Sequence, residues 1–292
     1  MANEGTDQGG SEMEGALVAL CVGNTRTRIG LITEGKVQEA RSISHAETLE
    51  ACEKLKESSG ATAFVISSVN KPVSVKLEMD LARLGTVYVI GRDLEIPMQH
   101  ALDDDSTVGQ DRLLDALGGF ARLREACVVA DLGTAITIDF VDGQGTFQGG
   151  IIAPGVRAMM RAMHATASAL PELEFDVPDP ARGPFGKDTA HAMKLGVQNA
   201  VIGLLRQTVE QFAEKFGTFP TLIATGGDAG LVENDPLVDR VVPDLQMMGV
   251  AEVCRVALGG AEWEPEDRGK AGGGGGGFSI GGAGESDSLD DE

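Results

Sequence analysis

Two stretches of the chain, 110 residues apart (131 − 21), repeat one pattern. The first runs from Leu20 to Gly30 and the second from Ala130 to Asp139. Each has an apolar strand, a turn that contains Gly-Asn-Thr or Gly-Thr, and a second strand rich in β-branched residues. A spacing of 110 residues is long enough for each stretch to belong to a separate half of the molecule. The repeat therefore predicts two similar halves that face each other across a cleft, which is a usual place for a ligand.

Strand-like and helix-like segments alternate through the body of the chain, which predicts an α/β fold. Strands are expected at 16–21, 29–33, 64–69, 87–90, 127–131, 135–141, 146–153 and 221–225. Helices are expected at 73–84, 111–124, 155–169, 188–216 and 243–257. The long helix contains Gly196 and Gly203, and either glycine could interrupt it.

Both ends of the chain differ in composition from the body. Residues 1–15 carry four acids and no base, and residues 264–292 carry eight acids, two bases and the glycine run 272–277. Such segments bury too little apolar surface to offset their ordering entropy, so we expect two disordered acidic tails. The body divides at the repeat into an N-terminal half, 16–125, and a C-terminal half, 126–263.

Composition excludes several classes of function. The 24 basic and 45 acidic residues give a net charge of −21, which argues against a partner that is nucleic acid or an anionic membrane. No apolar run approaches the roughly 20 residues that cross a bilayer, and the acidic N-terminus is unlike a signal peptide. The four cysteines form no CxxC pair, so we expect reduced thiols in a cytoplasmic protein.

The turns of the repeat have the chemistry of a phosphate site. Glycine at a hairpin tip lets backbone N–H groups approach an anion, and Asp131 before the second turn could hold a cation. A third turn, Gly226-Gly227, follows a predicted strand and could pass close to an adenosine. Each turn alone is also an ordinary hairpin tip. The three together, in this order, favour a nucleotide site.

At these residues the sequence resembles type III pantothenate kinase, a family of the acetate-kinase/sugar-kinase/Hsp70/actin superfamily. The resemblance covers nearly all of 16–258. It rests on Val22–Thr25 with Cys21 ahead of it, Gly109–Arg112, Asp131–Ala135, Gly149–Gly155 and Thr225–Gly227. It implies two ribonuclease-H-like halves, as in the actin-like ATPases, that flank a nucleotide cleft.

The resemblance also implies an activity and a set of roles. The enzyme would phosphorylate pantothenate with ATP, Mg²⁺ and a monovalent cation, K⁺ or NH₄⁺, as a homodimer with the substrate pocket near the dimer interface. Asp111 would be the general base, and Asp131 would hold the monovalent cation. The implied substrate residues are Leu102, Gly109, Gln110, Asp111, Arg112 and Thr189. The implied ATP residues are Cys21, Val22, Gly23, Asn24, Thr25, Arg26, Thr27, Arg28, Thr134, Gly226 and Gly227.

The residues themselves support Asp111 as a base. It stands at the start of a predicted helix, after Gly109 and beside Arg112, where the helix N-terminus stabilises an ionised carboxylate. Such a group can accept the proton of a substrate hydroxyl during phosphoryl transfer. An Asp at a helix start is also a common capping residue, so position alone leaves both roles open.

Two positions depart from the family pattern. Cys21 stands where the family has Asp, and a thiol is a poor ligand for Mg²⁺. Leu102 stands where the family often has Tyr, and the acidic run 103–105 should lie outside a pocket for anionic pantothenate. Cys21 favours a non-catalytic nucleotide-binding relative that acts as a regulator. Leu102 favours a kinase of another small hydroxyl compound.

Overall fold

The structure is a computed structural model, and it describes residues 15–259. The first sheet contains β1 (Ala16–Val22), β2 (Thr27–Thr33), β3 (Lys36–Ile43), β4 (Ala63–Ser68) and β5 (Thr86–Val89), with helices α1 (Thr48–Ser59) and α2 (Lys71–Leu81). The second contains β6 (Cys127–Leu132), β7 (Ala135–Val141), β8 (Phe147–Pro154), β9 (Thr221–Thr225) and β10 (Arg240–Val241). The other helices are α3 (Gln110–Leu123), α4 (Val156–Thr166), α5 (Thr189–Phe216) and α6 (Leu245–Gly259).

The two sheets have the same topology. The first has the order β3-β2-β1-β4-β5 and the second, read from its other edge, β8-β7-β6-β9-β10. In both, an antiparallel three-stranded meander is extended by two parallel strands. The repeat predicted from the two hairpins is therefore a repeat of whole sheets, and the predicted two-halved α/β fold is confirmed.

The helices form layers around the sheets. Helices α1 and α2 cover the outer face of the first sheet, and α4 and α5 cover the outer face of the second. Helices α3 and α6 lie between the sheets, in a core to which both halves contribute. Although α6 comes last in the described chain, it packs on β1, β2 and β3 of the first sheet.

Two glycines let the central helices approach closely. A Cβ at Gly118 of α3 would collide with the Leu245 carbonyl of α6, and a Cβ at Gly249 would collide with the Leu114 carbonyl. Both helices run backbone against backbone at this crossing, with Leu114, Leu117 and Phe120 fully buried beside it. The crossing fixes the start of α3 between the two halves.

Most of the predicted elements are present, and the exceptions have physical reasons. Strand β3 was not predicted because only Ile43 of its eight residues is buried, so its sequence lacks an apolar pattern. Helix α1 was missed because its buried face is short. Helix α5 is continuous through Gly196 and Gly203, since its buried residues Val197 and Val201 anchor it to the second sheet.

Three further predictions concern the acidic tails, membrane-spanning segments and the cysteines. The two acidic tails, at 1–15 and 264–292, fall outside the described residues except for Gly15. Within 15–259, no helix is long and apolar enough to cross a membrane. All four cysteines are buried and free, as expected of reduced thiols.

Candidate active site

The ends of β1 and β6 occupy equivalent positions on either side of α3. Alternate residues of β1, ending at Cys21, face the core between the sheets, as do Cys127 and Val129 of β6. Asp131 continues that alternation, so it lies on the same face. The turns that follow are closed alike, with Gly23 N donating to the Arg26 carbonyl at 3.0 Å and Gly133 N to the Ala135 carbonyl at 3.0 Å.

Helix α3 places two carboxylates between these strand ends. Asp111 lies in its first turn and Asp115 one turn further on, at the i, i+4 spacing that puts both on one face. The backbone N–H of Arg112 donates to Asp111 Oδ1 at 2.9 Å. Gly109 precedes the helix, and a Cβ there would collide with the same Asp111 oxygen. The glycine therefore leaves room for the Asp111 carboxylate to lie over the helix start.

A buried ion pair with Asp139 fixes the position of Arg112, the residue that follows Asp111. Arg112 Nε donates to both carboxylate oxygens of Asp139 at 3.1 Å, and Arg112 Nη2 also donates to Oδ1. The Asp139 side chain is 2% exposed and the Arg112 side chain 14%. The guanidinium also lies 5.6 Å from the centre of the Phe147 ring. Burial raises the pKa of Asp139, and the Arg112 hydrogen bonds and charge oppose that rise.

Asp131 lies in a strongly negative environment. Burial, followed by the charges of Asp111, Asp139 and Asp228, raises its pKa to about 7. The Gly226 turn closes over it, because a Cβ at Gly226 would collide with Asp131 Oδ1 and the Leu132 carbonyl. The backbone N–H of Asp228 donates to that carbonyl at 2.9 Å. The third predicted turn thus meets the second at Asp131.

The site therefore has four carboxylates around one end of α3, namely Asp111, Asp115, Asp131 and Asp139, and Arg112 among them. In the part of the chain that the structure describes, no three His, Cys, Asp or Glu side chains converge closely enough to form a metal cluster by themselves. Hard oxygen atoms that outnumber the nearby positive charge suit Mg²⁺ or K⁺ bound partly through water or through substrate phosphate.

The comparisons with known proteins assign the family. The family model for type III pantothenate kinase matches residues 17–211. A type III pantothenate kinase of Fervidobacterium nodosum is 31% identical over 246 residues, which cover 80% of this chain and 95% of that protein. The chain belongs to the type III pantothenate kinases. The type III pantothenate kinase of Anaeromyxobacter dehalogenans is 32% identical over 230 residues, or 74% and 89% of the two chains.

A solved structure supports the fold. A Campylobacter jejuni protein described as a conserved Baf family transcriptional activator superposes with a TM-score of 0.56, at 16% identity, over 82% of this chain and 98% of that one. Together with the matching sheets, this likeness confirms that the predicted architecture runs through the body of this type III pantothenate kinase.

The residues predicted to bind ATP differ in accessibility. Asn24, Thr25 and Arg26 are exposed at the β1–β2 tip, and Thr134 is exposed at the β6–β7 tip. Both tips thus present exposed polar side chains that can donate hydrogen bonds to a phosphate.

Other members of the first hairpin are already engaged. Val22 and Thr27 are buried, and the Thr27 hydroxyl is 3.0 Å from His45 Nδ1. Arg28 Nε donates to Asp244 Oδ1 at 2.5 Å, at the start of α6. Their predicted ATP contacts remain predictions, and for Arg28 such a contact requires Asp244 to share it.

The predicted substrate residues are also spread. Leu102 is half-buried against Gly149 of β8, on the loop that pairs with Phe147. Gln110 Nε2 donates to the Ile90 carbonyl at 2.9 Å, so its amide anchors the end of β5. Thr189 is exposed as the first residue of α5, a helix that packs on the outer face of the second sheet. The acidic run 103–105 is exposed, and its position outside the pantothenate pocket stays a prediction.

Sequence reasoning missed Asp115 and Asp139. Both are acids within otherwise apolar segments, Leu113–Leu117 and Ile136–Val141, and a charge at such a position is a signal in itself. The partner of Asp139, however, is 27 residues away, so the pair became visible only when β7 packed beside α3.

Asp131 gives a testable dependence of stability on pH. Its pKa is raised in the folded protein from an ordinary value of 3.8 to about 7, so the folded state binds the proton more tightly. The contribution of Asp131 to the free energy of unfolding should therefore fall as pH rises from about 4 to about 7, and level off above that. We expect Asp131→Asn to flatten this part of the profile.

Urea unfolding of metal-free wild type and Asp131→Asn at pH 5, 6, 7 and 8 would measure the effect. The variant should gain stability relative to the wild type with each step up to pH 7. A constant difference between the two proteins across that range would contradict the assignment.

Proposed function

We propose that the protein transfers the γ-phosphoryl group of ATP to the primary hydroxyl of pantothenate, forming 4'-phosphopantothenate in the first step of coenzyme A biosynthesis. The observation that carries the proposal is the placement of Asp111. Its carboxylate lies at the start of α3 in a member of the type III pantothenate kinase family, between the two hairpin tips and beside the Arg112–Asp139 pair.

Asp111 is the general base in this mechanism. It accepts the proton of the pantothenate hydroxyl as that oxygen forms a bond to the γ-phosphorus of ATP. The bond between the γ-phosphorus and the bridging oxygen breaks, and ADP leaves with that oxygen. The Arg112 N–H and the N-terminus of α3 stabilise the charged carboxylate before the transfer.

Arg112 positions the acceptor. Asp139 holds the guanidinium in place through both of its oxygens, and Phe147 covers it. A planar donor that is fixed in this way suits a carboxylate or a hydroxyl of pantothenate. Leu102, which packs against Gly149, and Gly109, which adjoins the Asp111 carboxylate, would line the same pocket.

The glycine turns hold the nucleotide. The exposed residues Asn24, Thr25 and Thr134 at the two tips contact the phosphates, and Gly226-Gly227 lies beside the adenosine. A bound Mg²⁺ would neutralise charge on the transferred phosphoryl group. We assign Asp131 as a ligand of the monovalent cation. Its carboxylate lies among other acidic side chains, and a bound cation would reduce the repulsion between them.

The cation assignment predicts a dependence on the monovalent ion. Wild-type turnover should require K⁺ or NH₄⁺, and Asp131→Asn should lose most of the stimulation by K⁺ because the oxygen ligand loses its charge. Initial rates at constant ionic strength in KCl, NH₄Cl and NaCl would measure this. Full turnover in NaCl alone would contradict it.

Assembly and location follow the family expectation. We propose a homodimer with the substrate pocket near the dimer interface, and Thr189 as one of the residues that contact pantothenate. The four buried, free thiols suit the reducing cytoplasm, where we place the enzyme.

The proposal is tested by measuring ADP release with ATP, Mg²⁺ and K⁺ against a panel of acceptors. Pantothenate should stimulate release far above the rate without acceptor. Stimulation by a different hydroxyl compound but not by pantothenate would support the reading that Leu102 favours. Nucleotide binding without any acceptor-dependent release would support the non-catalytic reading that Cys21 favours.

A further inference from the structure

Asp115 is a buried carboxylate that the mechanism so far does not use. It lies one turn after Asp111 in α3 and is 5% exposed. Its Oδ1 has no hydrogen-bond partner within residues 15–259, and no salt bridge of that part of the chain includes it. A buried carboxylate oxygen without a partner is costly, so a group that completes it is expected.

Two arginines of the site, Arg112 and Arg28, already bind other carboxylates. Arg112 binds Asp139 through both carboxylate oxygens, and Arg28 binds Asp244 at the start of α6. Asp115 faces other acids instead. Burial raises its pKa, and the charges of Asp131, Asp111 and Asp139 raise it further. A cation is therefore the missing partner in chemical terms.

Cys21 lies in the same core as this part of α3, close enough for its thiol to be affected by the Asp115 charge. Burial raises the pKa of the Cys21 thiol well above its usual range, and Asp115 is the largest charge that adds to the rise. The thiol is therefore neutral and a poor partner for a hard cation. The end of β1 has no oxygen ligand at this position, while α3 presents a carboxylate from the same core.

We propose that Asp115 is a ligand, directly or through one water, of the divalent cation that accompanies ATP, and that it replaces the carboxylate which the first hairpin lacks at Cys21. The inference rests on the proposed function in one respect, because the nucleotide phosphates complete the coordination. It explains how a chain with Cys21 can hold the metal with oxygen atoms.

The test is the affinity for Mn²⁺, a spectroscopic substitute for Mg²⁺. Free Mn²⁺ is measured by electron paramagnetic resonance in the presence of a non-hydrolysable ATP analogue. Asp115→Asn should weaken Mn²⁺ binding on the order of 10–100-fold. Asp105→Asn, which removes an exposed acid of the 103–105 run, is the matched control and should leave the affinity unchanged.

A second variant tests whether a carboxylate at position 21 can replace the one at position 115. Cys21→Asp in the Asp115→Asn background restores one carboxylate between the hairpins and should recover most of the Mn²⁺ affinity. Cys21→Asp alone should change the affinity less than about threefold, since the ligand is already supplied and a further acid adds repulsion.

Thermal unfolding without metal separates a ligand from a structural group. Asp115→Asn removes a buried charge and should be at least as stable as the wild type. Unchanged Mn²⁺ affinity in Asp115→Asn would overturn the proposal, as would a large increase in affinity from Cys21→Asp alone. If Asp115→Asn does not fold, the Mn²⁺ affinity of Cys21→Asp alone decides between the outcomes.

The two proposals fail separately. If the wild type phosphorylates pantothenate while Asp115→Asn binds Mn²⁺ normally, the ligand assignment is wrong and the function stands. If no acceptor-dependent reaction occurs while Asp115→Asn loses Mn²⁺, the ligand assignment stands and the function is wrong.

Discussion

Replacing Asp111 by Asn is expected to lower kcat by about 10²–10⁴-fold, the usual effect of removing a general base. The amide keeps the size of the side chain and can still lie over Gly109, so the helix start should be preserved. It cannot accept the proton of the pantothenate hydroxyl. Affinity for ATP, measured by calorimetry with a non-hydrolysable analogue, should change little, because we propose that the nucleotide binds at the hairpin turns.

Asp105→Asn is again a suitable control, since it removes an exposed acid outside the site. Gly109→Ala offers a complementary test, because the added Cβ would displace the Asp111 carboxylate without removing it. Both Asp111→Asn and Gly109→Ala should lose turnover while the control keeps it. Near-normal turnover in Asp111→Asn would remove Asp111 from the mechanism.

Replacing Arg112 by Ala is expected to cost about 3–5 kcal/mol of stability, because it leaves the Asp139 carboxylate buried and unpaired. Turnover should fall as well, since the fixed donor of the acceptor pocket is lost. Urea unfolding at neutral pH measures the first effect, and kcat/KM for pantothenate measures the second.

A paired variant separates the two effects. Arg112→Met with Asp139→Leu replaces both charges by apolar groups and should recover most of the lost stability. It should not recover activity, because no donor remains for the substrate. Equal activity in the paired variant and the wild type would show that the ion pair serves the fold alone.

The fold could be predicted from the sequence as far as its apolar patterns extend. The hairpins at Cys21 and Asp131 carry the same strand pattern, so the two halves were visible before the structure. Strand β3 was not, because an edge strand with one buried residue has no periodic signal. That α6 packs on the first sheet depends on contacts between residues far apart in the chain, such as Met247 against Gly30 of β2, which no local pattern reports.

The site, too, could be predicted from the sequence only in part. Asp111 and Asp131 stand beside glycines in short motifs, so they can be identified as site residues from the local sequence. Arg28 was predicted to contact phosphate, but its partner Asp244 is 216 residues away in the chain. The roles of Asp115 and Asp139 likewise depend on which charges the folded chain places around them.

Phosphorus NMR of wild-type enzyme with ATP, Mg²⁺, K⁺ and pantothenate tests the proposed reaction most directly. A phosphomonoester signal of 4'-phosphopantothenate should grow in step with ADP, and Asp111→Asn should form both far more slowly. ADP that appears with inorganic phosphate and no phosphomonoester, or no consumption of ATP at all, would contradict the proposed reaction.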